Sequence, residues 1–335
     1  MEKLHERQKL VQEYAARVLR DAARPSVVRS DGSIDITINE AARASVDEVD
    51  SITDAVLADA RATGLVVKGR MGSERTTGQL PPTVALRKAL ATWATVRRAR
   101  TIPGVNARFA EMDTVVIRES SEDIYAGMEH QITDGVYEAV RVTTAAACER
   151  IARYAYEYAR AHGRRKVTIV HKSNIMKKSD GLFLRTAQLV GQDYPEIETD
   201  EVIVDALCMR LVRWPMQFDV LLTGNLFGDI VSDLCSGLAG GITAGASVSI
   251  GDGVRIFENP HGRVPELVGQ DAANPLPMLL TVVNLLQHIG EDLAASKISD
   301  AIATVTTEGI CTADLGGTAR CSEVAAAIEA RVRGL

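Results

Sequence analysis

Two carboxylates, Asp229 and Asp233, stand four residues apart in NLFGDIVSD (225–233), and a third, Asp205, lies upstream in VIVDALCM. On a helix, residues four apart project from one face. Like charges that close repel unless water screens them or a cation sits between them, so the pair reads either as a solvated acidic face or as one side of a metal site. Oxygen-only ligands select a hard ion, Mg²⁺ or Mn²⁺. The setting favours the metal. The pair follows an apolar strand, Asp219–Thr223, and a Gly224-Asn225 turn, and open α/β sheets hold their chemistry just past the carboxyl ends of strands. Four basic residues occupy comparable settings: Arg87 within a helix, Arg97 at that helix's exit, Arg118 at the end of a strand and Lys172 just after another. An arginine's planar fork offers a carboxylate two parallel hydrogen bonds. Each of the four taken alone reads as a surface residue. Together with the acidic trio they describe a site for a metal and a multiply charged anion.

The elements that would position these residues alternate between helix and strand. A helical stripe runs from about Leu4 to Ala23, and a second helix, about Val46–Ala62, ends at Gly64 before a short strand, Leu65–Val67. Gly69 to Pro82 reads as a loop entering a helix over Thr83–Thr95. A strand is expected over Asp113–Arg118, then a polar segment, ESSEDIYAGMEH, a periodic helix over Thr144–His162 and a strand over Lys166–His171. Val202–Asp205 opens a strand-to-helix passage ahead of Asp219–Thr223 and the carboxylate helix. Gly237–Gly253, rich in glycine and small residues, reads as turns and close packing. Helices close the chain at Pro275–Gly290, Ala294–Thr307 and Ser322–Arg333. Such alternation predicts an α/β fold with a sizeable sheet.

At 335 residues the chain has room for two domains. It is 46% hydrophobic and 24% charged, no apolar run approaches the ~20 residues of a membrane span, and the charged opening MEKLHERQ is not a signal peptide, so a cytoplasmic location is expected. Five cysteines with no CxxC spacing (148, 208, 235, 311 and 321) argue against a zinc site or a disulfide framework. A net charge of −6 gives no sign of nucleic-acid binding, and the local cluster Arg97, Arg98 and Arg100 suits a small anion better than a polyanion.

The runs RESSEDIYAGMEH, VTIVHKSNIMKKSDGLFLR, VDALCMRLVRWPMQFDVLLTGNLFGDIVSDLCSGLAGG and ENPHGRVPELVGQDAANP resemble the NAD(P)-dependent β-decarboxylating dehydrogenases. That family includes isocitrate, homoisocitrate, 3-isopropylmalate and tartrate/malate dehydrogenases. SEDIYAGMEH and HKSNIMKKSDGLF are most similar to isocitrate dehydrogenase. The resemblance implies a large discontinuous α/β domain (1–92 and 239–335) and a smaller inserted α/β domain (93–238), with the active site in the cleft between them. It implies that Arg87, Arg97 and Arg118 grip the substrate's carboxylates, that Tyr125 and Lys172 form the acid–base pair, and that Asp205, Asp229 and Asp233 bind the metal. Lys172 and Asp205 would reach in from a partner subunit, which requires a homodimer with shared active sites. The cofactor loop would be His261, Gly262, Arg263, Val264, Pro265, Glu266 and Leu267, with Asn274 at the adenine. Glu266 would accept from ribose hydroxyls and repel a 2′-phosphate, which favours NAD, while Arg263 pulls towards NADP.

The implied reaction is oxidative decarboxylation of a small anionic 3-carboxy-2-hydroxy acid. Two other readings stand beside it: a non-redox metal-dependent decarboxylase or lyase, and a non-catalytic regulatory subunit. The chain departs from the family pattern in three places. It opens in a helix where the family has a strand and a GDGIG-type turn, and the family's KGP-led loop reads KGRMGSERTTGQLPP. Pro81 and Thr83 stand where a serine and an asparagine read isocitrate's γ-carboxylate. The floor Leu80, Pro81, Thr83 and Val84 is therefore expected to fit a different third substituent.

Overall fold

An eight-stranded mixed sheet carries Arg97 and Arg118, and the computed structural model describes residues 54–69, 81–262, 264–267 and 269–334. The expected helix at 4–23, the start of the second helix, most of the 69–82 loop with Leu80, and Arg263 lie outside these residues. Helix α1 (Asp54–Thr63) leads into β1 (Leu65–Lys68), and α2 (Pro82–Ala89) precedes β2 (Ala94–Arg100) and β3 (Asp113–Glu119). A separate hairpin follows, β4 (Glu129–Thr133) and β5 (Val136–Ala139). Then come α3 (Ala145–Ala161), β6 (Lys166–His171), α4 (Ser179–Gly191), β7 (Glu198–Ile203), α5 (Val204–Arg213), β8 (Val220–Thr223) and α6 (Asn225–Leu238). The last part holds β9 (Ser247–Gly251), β10 (Val254–Glu258), α7 (Leu276–His288), α8 (Asp292–Thr307) and α9 (Cys321–Arg333).

The sheet order is β1-β10-β9-β2-β3-β8-β6-β7. Strands β3, β8, β6 and β7 run parallel, whereas β2 and β9 pair antiparallel with their neighbours. The inner parallel strands β3, β8 and β6 are largely apolar and buried because helices cover both faces, whereas the edge strand β7, ETDEVI, is mostly exposed. On one face Ile151 and Ala155 of α3 and Phe183 of α4 pack on Ile117, Ile169 and Leu222. On the other, Leu207 of α5 and Val231 and Cys235 of α6 pack on Val116, Val170 and Leu221. Helices α7, α8 and α9 build a third core around Leu279, Ile298 and Ile328. Helix α3 begins where Thr144 Oγ1 accepts from the Ala147 amide at 3.2 Å, and its alanine-rich inner face lets it lie close to the sheet.

Several elements differ from expectation. The helix expected over Thr83–Thr95 stops at Ala89. Ala91 turns the backbone to φ 48°, and the aromatic and β-branched run from Trp93 to Val96 joins the sheet, its Trp93 amide donating to Ile250 O at 2.8 Å. Arg97 therefore stands mid-strand in β2, not at a helix exit. Within the glycine-rich stretch 237–253 lies β9, whose small residues are selected by crowding: a Cβ on Gly251 would sit 2.8 Å from Leu90 O. Strand β10, helix α4 and the hairpin were not anticipated; both hairpin strands are exposed throughout and carry no buried stripe to read. None of the five cysteines is in a disulfide. No described helix is long and apolar enough to cross a membrane.

The approach of α6 to the sheet depends on Gly228. A Cβ there would meet Thr223 Oγ1 at 2.3 Å and Arg118 Cγ at 2.6 Å. Gly228→Ala is expected to lower stability by about 1–3 kcal/mol through overpacking. Gly237→Ala, in the same helix with nothing within 4 Å, should be neutral or stabilising by up to about 1 kcal/mol. Melting temperatures of the two variants compare them directly, and equal losses would refute the close-approach argument.

Candidate active site at the carboxyl ends of the parallel strands

Arg118 projects from the end of β3 into the face covered by α6. Its Nε and Nη2 lie 2.9 and 2.6 Å from Asn225 Oδ1, and its Nη1 donates to Asp229 Oδ1. Tyr125 Oη donates to the other oxygen of Asp229 at 2.6 Å, and its ring lies 5.1 Å from the Arg118 guanidinium carbon. One turn further along α6, Asp233 accepts from Arg97 Nη1 at 2.5 Å, and the same nitrogen lies 3.0 Å from Ser232 Oγ. Five of the expected site residues, Arg97, Arg118, Tyr125, Asp229 and Asp233, thus meet in one cluster. Tyr125 is presented on a short 3₁₀ turn, Ile124–Ala126. Asp123 opens it at φ 77° and Gly127 closes it in the left-handed region.

The electrostatics of this cluster follow from partial burial among opposite charges. Burial pushes the Asp229 carboxyl up, but the hydrogen bond from Tyr125 and the Arg118 and Arg97 charges outweigh it and hold the group below the usual carboxylate range. Burial, reinforced by Asp229, pushes the Tyr125 phenol up, so it keeps its proton. Asp233 is 57% exposed. Two carboxylates on one helix face, offering oxygen donors and already drawing two guanidinium groups, suit a hard divalent ion.

Lys172 and Asp205 form a second cluster. Strands β6 and β7 end in register, His171 beside Ile203, so Lys172 Nζ reaches Asp205 Oδ1 at 2.5 Å. That bond holds the Asp205 carboxyl below its usual range. Asp205 is 69% exposed and stands apart from Asp229 and Asp233. Among the described residues no three His, Cys, Asp or Glu side chains are close enough to hold a metal ion within one chain.

Arg87 belongs to a third cluster. Glu258, at the end of β10 and 2% exposed, lies 2.7 Å from Lys68 Nζ and accepts from Arg87 Nη2 at 2.5 Å and Ser249 Oγ at 2.9 Å. Thr83, one turn before Arg87 on α2, accepts from Lys68 at 3.4 Å. Registers link this cluster to the first: Lys68 pairs with Glu258, Glu258 with Ser247 and Ser247 with Arg97. Paired residues share a sheet face, so one charged row crosses four strands, with Glu258 about 10 Å from Arg97.

In the connection from β10 to α7, Glu266 is exposed on a 3₁₀ turn, Pro265–Leu267, and the Leu267 amide donates to Val264 O. His261 Nδ1 lies 2.9 Å from Gly262 O. Asn274 is fixed at both ends: Oδ1 accepts from the Leu276 amide at 2.9 Å and Nδ2 donates to Asp314 at 2.9 Å. Glu266 thus leaves its carboxylate open to solvent, while Asn274 is held in place by its own hydrogen bonds.

Sequence reasoning passed over Lys68, Glu258, Asn225, Asp123, Arg141 and Asp180, which hold these clusters together. Asn225 and Asp123 lie inside runs already singled out. Asp180 and Glu258 lie inside such runs as well, and Glu258 is also the acid that closes the apolar run VRIFE.

Fold and site define an α/β protein that gathers arginines and carboxylates past the carboxyl ends of parallel strands. The chain belongs to the isocitrate/isopropylmalate dehydrogenase family, whose model matches residues 11–328. It is 40% identical to a regulatory subunit of the mitochondrial NAD isocitrate dehydrogenase of Dictyostelium discoideum, over 83% of this chain and 78% of that one. It is 41% identical to the mitochondrial NAD isocitrate dehydrogenase catalytic subunit 5 of Arabidopsis thaliana, over 78% and 71%. The crystal structure of isocitrate dehydrogenase from Methylococcus capsulatus superposes with a TM-score of 0.82 at 36% identity, covering 96% of this chain and 95% of that one. The fold is that of isocitrate dehydrogenase.

Glu258 makes the third cluster pH-sensitive. Burial raises its carboxyl, but Lys68 and Arg87 overcome this and hold it at about 2 against an ordinary 4.5. The resulting stabilisation, about 3 kcal/mol, is fully present above pH 4.5 and lost as pH falls towards 2. Glu258→Gln should therefore lower the melting temperature at pH 7 and flatten its fall between pH 4.5 and 2. An unchanged acid slope would show that the three side chains are not coupled.

Proposed function

We propose that the chain catalyses metal-dependent oxidative decarboxylation of an isocitrate-like 3-carboxy-2-hydroxy acid, with NAD as hydride acceptor. The observation that carries this reading is the convergence of Tyr125, Arg118 and Arg97 on the Asp229 and Asp233 face of α6. Membership of the dehydrogenase family and the likeness to a catalytic subunit support it. In this reading Arg97 and Arg118 bind the substrate's carboxylates, with Arg87 and Thr83 facing its third substituent. His261, Gly262, Glu266, Leu267 and Asn274 hold NAD. The active site lies in the cleft between a large domain (1–92 and 239–335) and a smaller inserted one (93–238).

Asp229 and Asp233, completed by Asp205 of the partner subunit, would hold Mg²⁺ or Mn²⁺, which supplies Lewis acidity at the C2 hydroxyl and α-carboxylate while NAD supplies the hydride acceptor. The chain's own groups manage the protons. The C2 hydroxyl gives up its proton as C2–H leaves as hydride; the C3–carboxylate bond then breaks to release CO₂, and the enol carbon takes a proton back. Tyr125 Oη and Lys172 Nζ are the groups that hold and return those protons. Arg97 and Arg118 orient the two carboxylates so that the departing one is aligned for cleavage.

A homodimer is supported by exposure that a lone chain leaves unexplained. Met209, Val212, Met216 and Ile230 on and beside α5 and α6 are about half exposed or more, and so are Ile132 and Tyr137 of the hairpin. An isolated two-stranded hairpin is marginal in water and gains stability when another chain covers it. The likeness to a regulatory subunit favours a second arrangement, in which this chain pairs with a different subunit of the same family. A cytoplasmic location belongs to the same proposal and rests on the composition, 46% hydrophobic and 24% charged, whereas the Dictyostelium and Arabidopsis relatives are mitochondrial.

NADH absorbance in the presence of Mg²⁺ and a panel of 3-substituted malates tests the reading. Turnover should appear with one panel member and vanish with chelator, and Asp233→Asn should lower kcat/KM by at least about 100-fold, the scale of a lost charge contact in a transition state. Metal-dependent substrate binding by calorimetry with neither NAD binding nor NADH formation would sink it.

A further inference from the structure

Behind the Tyr125 turn lies a small pocket whose lining includes Asp123, Arg141, Asp180, Asn225 and Phe227. At its centre is one guanidinium. Arg141 Nε sits 2.7 Å from Asp123 Oδ1 and Nη2 donates to Asp123 Oδ2 at 3.1 Å. Nη1 sits 2.7 Å from Asp180 Oδ1 and 3.0 Å from the sulfur of Met176. The guanidinium carbon lies 5.0 Å from the Phe227 ring. Both aspartate side chains are 4% exposed.

Each partner belongs to a segment that carries one of the reacting groups. Asp123 accepts from the Ile124 amide at 2.8 Å, which starts the Tyr125 turn, and from the Leu226 amide at 3.0 Å, which starts the helix of Asp229. Asp180 accepts from the Lys172 amide at 2.6 Å, and the Met176 amide donates back to Lys172 O at 2.9 Å. Asp123 holds a positive φ that a non-glycine residue adopts only under constraint. Gly224, at the start of α6, leaves room for this contact: a Cβ there would sit 3.3 Å from Arg141 Nη2.

We propose that Arg141 is the positioning residue of this site, a single partly exposed cation between two buried carboxylates that sets the Tyr125 turn, the Lys172 loop and the start of α6 relative to one another. The inference rests on the proposed acid–base roles of Tyr125 and Lys172. Planarity matters here: the fork spans Asp123 and Asp180 at once, which a lysine ammonium cannot do with the same geometry. If Lys172 serves the partner's site, the same guanidinium also ties the acid–base group of one site to that of the other.

The test uses full-length Arg141→Lys and Arg141→Ala. Positioning partners of this kind change activity by about 10–100-fold. Both variants should lose kcat on that scale with the substrate KM and the calorimetric substrate affinity within about threefold of wild type. Guanidinium chloride at tens of millimolar should restore kcat to Arg141→Ala several-fold while the same concentration of NaCl does not. If Arg141→Ala does not fold, Arg141→Lys carries the test. Hydrogen exchange provides a readout that needs no turnover: residues 124–127 and 172–177 should exchange faster together in Arg141→Lys, with β6 and β8 unchanged. Wild-type kcat in Arg141→Lys, or faster exchange in only one of the two segments, overturns the proposal. A wild-type chain without turnover but with the paired exchange response would instead fault the proposed reaction and leave the positioning role standing.

Discussion

The ion pair between Arg118 and Asp229 is the contact on which the arrangement of the site depends, because it is where the sheet and the carboxylate helix meet. Arg118 ends β3, Asp229 lies in the second turn of α6, and only the missing side chain at Gly228 lets the helix lie low enough for them to touch. Once that distance is set, the 3.6-residue helical period carries Asp233 to Arg97 on the neighbouring strand. Two like charges that would destabilise an isolated helix are thereby each matched to a guanidinium from the sheet, and Tyr125 closes over the first of them.

Around that contact the protein places charges in its interior, where they are costly to desolvate. Glu258 between Lys68 and Arg87, and Arg141 between Asp123 and Asp180, each bring three ionised side chains together at or below the surface of the sheet. Burying such groups contributes little net stability against a well-packed apolar alternative. What they supply is direction. The partners are held by ion pairs and charge-assisted hydrogen bonds, so loops that connect different strands are fixed relative to one another without a continuous apolar core between them. The apolar cores lie on either side of the sheet and among the last three helices, away from the polar seam.

The chain's departures from the family pattern at Pro81 and Thr83 fall beside one end of this seam. Pro81 and Thr83 open α2, so a change of side chain there alters the end of the row that runs through Lys68, Glu258, Ser247 and Arg97 without disturbing Arg97 and Arg118.

What the sequence determined by itself was set by local physics and by pattern. The parallel strands at 166–171 and 220–223 are apolar runs, the helix after Thr144 has a cap and a regular apolar stripe, and the i,i+4 spacing already put Asp229 and Asp233 on one face. The long motifs carried the family. The tertiary structure decided the rest, because it turned on contacts between residues far apart in the chain. Trp93 to Val96 became strand only by pairing with β9 and β3, which moved Arg97 from a helix exit to mid-sheet. Arg87 was drawn to Glu258, 171 residues away, by a carboxylate that no local pattern distinguishes. Arg141 lies in none of the sequence motifs, and only the fold brings Asp123 and Asp180, from separate elements, around it. Periodicity reports which face of an element is buried; it carries no information about which buried charge will answer which, and in this protein that pairing assembles the site.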